Sequence, residues 1–147
     1  MRKLLIIAIV AVVAMGGGCK KDKAADPVVD VRDKYVGVWK GNQTIIVTDL
    51  DINDQSEGTN TISKSSANTN RLLITNGTDV MNANISGNTY VYEQWTVIDN
   101  SGGSTWTIIY NGSGTVSGNT LTESGTISIS FDGETHTGTW SCSMTKQ

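Results

Sequence analysis

From about residue 35 onward, no segment longer than ten residues shows the 3.6-residue period of a helix; strand and turn signals alternate instead, and inside the best-marked strands apolar and polar residues alternate with a period of two. The clearest stretch runs from Thr120 to Phe131. Leu121, Glu123, Gly125, Ile127, Ile129 and Phe131 share one parity, and Thr120, Thr122, Ser124, Thr126, Ser128 and Ser130 share the other. The next stretch repeats the pattern, with His136, Gly138, Trp140 and Cys142 set against Thr135, Thr137, Thr139, Ser141 and Ser143. One apolar face and one wettable face is the pattern of a half-buried antiparallel strand. Thr serves the wet face because it keeps β-propensity while carrying a hydroxyl.

Turn residues punctuate these strands. Gly87-Asn88, Gly118-Asn119 and Asp132-Gly133 read as two-residue hairpin loops, because each pair supplies the positive φ that a tight hairpin needs. Turn position fixes register. Around Asp132-Gly133, Phe131 faces Glu134 and Glu123 faces Cys142. Around Gly118-Asn119, Val116 faces Leu121, Gly114 faces Glu123 and Trp106 faces Phe131. Both turns send the same face of residues 121–131 inward. Upstream, strands are predicted over Gly37–Val47, 58–64, 70–76, Val80–Ser86 and Thr89–Ile98. Trp39, Ile45 and Val47 point inward in the first. In the last, Tyr90 and Tyr92 share one parity and Trp95 and Val97 the other, so a bulge near Glu93-Gln94 is predicted to swap the faces. The pattern gives an all-β domain, an eight-stranded antiparallel up-and-down barrel, with a β-sandwich as the alternative.

The N-terminus has a different pattern. Leu4 to Met15 is an unbroken apolar run behind Arg2 and Lys3. It is shorter than the roughly 17–25 residues that span a bilayer, so it reads as a signal peptide over residues 1–18. Gly16-Gly17-Gly18 before Cys19 resembles a bacterial lipobox, with Gly16 where that motif usually carries Leu. The resemblance implies cleavage before Cys19 and a lipid on its sulfur that holds the protein to a membrane. Residues 19–34 then form the lipidated Cys and a charged tether, and residues 35–147 the barrel. Lys20 directly after Cys19 resembles lipoproteins sent to the outer membrane. The start Cys-Lys-Lys-Asp-Lys is similar to lipoproteins of the Bacteroidetes type. The expected location is therefore the bacterial cell envelope, anchored at the outer membrane.

Composition narrows the classes further. In 147 residues there are 19 Thr, 14 Ser, 12 Asn and 16 Gly, which argues against a helical bundle. The net charge of −3 becomes more negative once Arg2 and Lys3 are cleaved off, and a nucleic-acid partner would ask for a basic chain. Two Cys and one His are too few for a structural zinc site.

Glu123 is the leading candidate for chemistry. A carboxylate on an apolar strand face needs a partner or water, and Gly114 and Gly125 leave space beside it. It reads as the polar anchor of a ligand cavity, with Tyr110, Trp106 and Tyr92 as further ligand-binding candidates. Cys142 reads as a packed thiol. His136 lies six residues along the strand from it, about 20 Å at strand rise, too far for proton transfer. No enzyme and no cofactor are expected. Asp49-x-Asp51-x-Asn53 resembles the opening of a calcium loop, but Asp54 stands where the turn glycine belongs, so a solvated acidic loop is expected. All four Trp fall on inward positions, which disfavours exposed platforms for carbohydrate.

Tyr35-Val36-Gly37-Val38-Trp39 resembles the Gly-x-Trp signature of the lipocalins and calycins. The resemblance implies an eight-stranded barrel with Trp39 capping one end. Only Gly37 and Trp39 carry over. Thr78-Asp79 lacks the Tyr of the family's second motif, and Lys146 is the nearest basic residue to the family's last-strand Arg. The whole chain is similar to short lipocalin-like bacterial lipoproteins of unknown function. Gly37, Trp39 and Trp140 are expected to be structural. The expected function is a lipid-anchored binder of a small apolar ligand. The alternative is a filled barrel acting as an interaction, inhibitor or structural module.

Overall fold

The computed structural model describes residues 29–100 and 104–147. The expected signal peptide, Cys19 and most of the expected tether lie outside the described residues. Nine strands are described: β1 (Gly37–Val47), β2 (Ile52–Lys64), β3 (Arg71–Asn76), β4 (Asp79–Ser86), β5 (Thr89–Tyr92), β6 (Trp95–Asp99), β7 (Trp106–Ser117), β8 (Thr120–Phe131) and β9 (Glu134–Lys146). A single 3-10 turn over Thr48–Leu50 links β1 to β2. The strands run antiparallel in the order β5-β4-β3-β2-β1-β9-β8-β7-β6. Pairing of β5 with β7 closes eight of them into an up-and-down barrel and decides against a sandwich.

The ninth strand is the far side of a bulge. Val91 pairs with Ser113 and Trp95 with Tyr110, so three residues of one chain oppose two of the other. β6 therefore continues β5 along the same neighbour with its faces exchanged, as the parity switch between Tyr92 and Trp95 requires. Glu93, in the bulge, points back across β4 and takes hydrogen bonds from Arg71 at 2.5 Å and Asn84 at 3.0 Å.

Both predicted hairpin registers hold. Glu123 faces Cys142 and Gly114, Val116 faces Leu121, and Phe131 faces Glu134. The turns carry the required left-handed residues, Gly118 at φ 58° and Asp132-Gly133 at 50° and 83°. The inward glycines act in two ways. A side chain on Gly112 or Gly114 would run into the rings of Trp140 and Tyr90, respectively. One on Gly125 or Gly138 would hit backbone of the facing strand, so there the absence of Cβ lets the sheet coil.

One end of the barrel is plugged by the chain that precedes β1. Tyr35 and Trp39 are fully buried. The Trp39 indole donates to the Tyr35 carbonyl at 2.7 Å, and the Tyr35 hydroxyl donates to the Asn88 carbonyl at 2.7 Å. Lys146 lies over the Trp39 ring at 5.3 Å and pairs with Trp39 across the strands. Residues 31–34, placed in the tether by composition, belong to a turn over residues 31–35. Arg32 is buried, is chelated by Asp30, and donates to the carbonyls of Ser65 and Asn68.

The other end is split. β3 pairs with β2 only over Asn60–Lys64, so residues 52–59 run on past the end of β3. Residues 52–57 of this stretch were not predicted as strand. On the far side of the opening stands β6, and no pairing joins it to β2 among the described residues. The barrel is thus closed and filled below and open above the short β3–β4 hairpin.

Candidate functional site

A cavity of about 190 Å³ occupies the junction between the closed and the split halves. Its floor is built from one cross-strand row. Tyr90 of β5 faces Gly114 of β7, which faces Glu123 of β8, then Cys142 of β9, then Gln43 of β1. Gly114 in this row lets the Tyr90 ring lie across the sheet and bring its hydroxyl to Glu123.

Glu123 is 1% exposed and surrounded by neutral donors. The hydroxyls of Tyr90 and Tyr92 both donate to Oε1. The Asn60 amide donates to Oε2 at 3.1 Å, and the Asn76 amide donates to the Asn60 oxygen at 3.0 Å. The Cys142 thiol also hydrogen-bonds Glu123. A carboxylate offers about four lone-pair sites, and this donor set meets them. The chain from Asn76 through Asn60 to Glu123 runs from the end of the β3–β4 hairpin to the cavity floor.

The electrostatics follow from burial. Loss of water raises the Glu123 carboxyl above its ordinary 4.5, and the bonds from Tyr90, Tyr92 and Cys142 pull the other way without cancelling it. The Cys142 thiol is pushed up to about 12, first by burial and then by the negative charge of Glu123. Burial, then the neighbouring acid groups, push the Tyr90 phenol far above its ordinary range. The phenols and the thiol of the floor are thus neutral at ordinary pH. No ion pair reaches Glu123 among the described residues.

One wall is aromatic. Tyr92 meets Trp140 edge to face at 5.7 Å, Trp140 meets Tyr110 at 6.5 Å, and Tyr110 stacks on Trp95 at 4.8 Å. The Trp140 indole donates to the Asn111 carbonyl at 3.1 Å, which fixes its ring. Met81 lines the cavity beside Asn76, and Asp79 stands exposed where the hairpin turns.

The structure brings together Glu123, Tyr110, Tyr92 and Trp140 of the residues singled out from sequence. It places Trp106 elsewhere, stacked on Phe131 at 4.2 Å nearer the open end. Gly37 and Trp39 belong to the plugged end. His136 stacks on Phe131 at 5.4 Å and does not line the cavity. Asp49 and Asp51 sit exposed at the 3-10 turn and Asn53 in β2. Among the described residues no group of three or more His, Cys, Asp or Glu side chains converges as a metal site would require. Tyr90, Asn60, Asn76 and Gln43 escaped the sequence reading. For Tyr90 the Tyr-x-Tyr alternation was a signal, but its partner depends on how the barrel closes.

No family model matches the chain, and none of the curated proteins is similar to it. Among solved structures it is similar to a protein of unknown function from the DUF3598 family of Nostoc punctiforme. The two share 15% identity over 78% of this chain and 48% of that one, with a TM-score of 0.48. The chain spans about half the length of that protein.

Proposed function

We propose that this protein is a lipocalin-like, lipid-anchored barrel of the bacterial cell envelope that binds one small molecule in the cavity over Glu123 and performs no chemistry on it. The observation that carries the reading is a buried carboxylate on the floor of an open cavity. Removing a carboxylate from water costs several kcal/mol even after the protein relaxes. A filled core would hold an apolar residue at that place, as Leu121 and Ile127 do on the same strand face. The upper barrel is open by construction, because β3 and β4 stop short while β1, β2, β7, β8 and β9 run on. Pockets for drug-sized ligands typically measure about 300–1,000 Å³. This one is smaller, so the ligand is small. The polar floor opposite an aromatic wall suits a molecule with one polar group rather than a purely apolar one. Attachment through Cys19 and the tether behind it would hold the site outside the cytoplasm, anchored at the outer membrane.

Extraction of the protein purified from its own host tests the reading. Solvent is expected to release one small molecule at about one per protein, identified by mass spectrometry. Gln43→Trp, which fills the cavity from β1, should release none while keeping its folded β spectrum. Wild-type protein that yields nothing, and shows no binding in solution, would leave the filled-barrel module as the better reading.

A further inference from the structure

The charge around the cavity points to the class of ligand. Its lining carries two carboxylates, Glu123 on the floor and Asp79 at the rim, and no Lys, Arg or His. The donors that hold Glu123 are two phenols, an amide and a thiol. They satisfy its oxygens but bring no positive charge. Opposite stands the continuous wall of Tyr92, Trp140, Tyr110 and Trp95. Aromatic faces carry negative potential and attract a cation lying over them.

Resting on the binding reading above, we propose that the ligand is a small organic cation, an ammonium group carrying a few carbons, held between the aromatic wall and Glu123. Such a cation supplies the counter-charge the buried carboxylate lacks. An anion would meet two like charges with nothing to offset them. A neutral molecule would leave the charge of Glu123 as it is. The cavity volume of about 190 Å³ limits the ligand to a compact one. The proton is a competitor. The groups that hold Glu123 are Tyr90 and Tyr92 from β5, Asn60 from β2 and Cys142 from β9, while β7 sets Gly114 beside it and Tyr110 on the wall, and β4 sets Asp79 at the rim. The phenols and the thiol already hold their protons, so the carboxyl is the group of this set whose charge changes as pH falls. Cation affinity therefore declines with falling pH as Glu123 takes up a proton.

A matched pair of probes decides the matter. Choline and 3,3-dimethyl-1-butanol have the same shape, with nitrogen in one where the other has carbon. Calorimetric titration of the full mature protein, freed of host molecules, is expected to show choline binding about tenfold tighter than the alcohol. In Glu123→Gln the preference should fall below about twofold. Asp79→Asn, at an exposed position on the rim, should lower it by about two- to threefold, a smaller loss because water screens the rim. Equal or tighter binding of the neutral alcohol overturns the cation and leaves the cavity reading intact. Binding of neither probe, with a host molecule still recovered by extraction, also overturns the cation alone. Binding of neither with nothing recovered overturns both.

Discussion

At the scale of single residues, Trp39 and Glu123 mark the two ends of the argument. Trp39 is fully buried, hydrogen-bonded to Tyr35 and covered by Lys146. Trp39→Ala should cost about 3–5 kcal/mol in a urea titration, the range for deleting a buried large aromatic. A loss under about 1 kcal/mol would show that the plug does not support the barrel. Cys142 reports on Glu123. With its thiol pushed up to about 12 and its side chain 5% exposed, it should react very slowly with a bulky disulfide reagent at pH 8. Glu123→Gln removes a negative neighbour, so the thiol should titrate at lower pH in that variant. An unchanged titration would separate Cys142 from the carboxylate. Glu123 itself was legible from sequence because its parity matched Leu121 and Ile127. Asn60 and Asn76 were not, since Asn in a chain rich in Asn reads as turn or loop and its amide partners lie 63 and 16 residues away.

At the scale of elements, legibility followed the turns. The β7–β8 and β8–β9 ladders could be written residue by residue because two-residue loops leave no freedom in register. A slip by one would expose Ile127, Ile129, Phe131 and Trp140 and bury a row of hydroxyls. At about 25 cal/mol per Å² of apolar surface, that exceeds any turn preference. The start of β2 was missed for the opposite reason. Residues 52–57 are mostly polar and exposed, with no alternation to read, because this length borders the opening rather than a packed face. Closure through β5 and β7 also lay beyond sequence, since no short turn connects them and a bulge intervenes. The fit of Tyr90 against Gly114 can be tested. Gly114→Ala pushes a methyl group into the Tyr90 ring and should cost about 1–3 kcal/mol, as overpacking does. It should also loosen the Tyr90 hydroxyl from Glu123. A substitution without effect on stability or on the Cys142 thiol would contradict the row of contacts across the floor.

At the scale of the whole molecule, the barrel divides its work. The lower half is filled by Tyr35, Trp39, Tyr90, Leu121 and Met144 and provides stability. The upper half is left open at a cost, and that cost depends on pH. Glu123 has a raised folded-state pKa, so between its ordinary 4.5 and that raised value the folded chain binds the extra proton. Stability from this group is therefore greatest at low pH and is lost as pH rises through that window. The wild type should lose stability as pH rises from 4.5, and Glu123→Gln should lose less, in urea titrations run across that range. Asp30 acts in the reverse sense. Arg32 and then Lys64 hold its carboxyl well below the ordinary range, so its contribution fades only in acid. Both variants share that fall, so their comparison isolates Glu123. For the molecule in its cell, Cys19→Ser should release the protein from membranes into the soluble fraction, because the lipid on Cys19 is the proposed anchor. Continued sedimentation with membranes would overturn the lipoprotein reading.

The claim on which the rest turns is that Glu123 is an ionisable group kept from water at the floor of an open cavity. Carbon-13 NMR of the glutamate side-chain carboxyls measures this directly. Four glutamates are present, and the Glu123→Gln spectrum assigns the resonance. In protein freed of bound molecules, the Glu123 carboxyl is expected to titrate above 4.5, and saturating choline should move its midpoint down. A midpoint at or below 4.5 in the free protein would contradict the account, because the carboxylate would then be solvated or already matched by a positive charge.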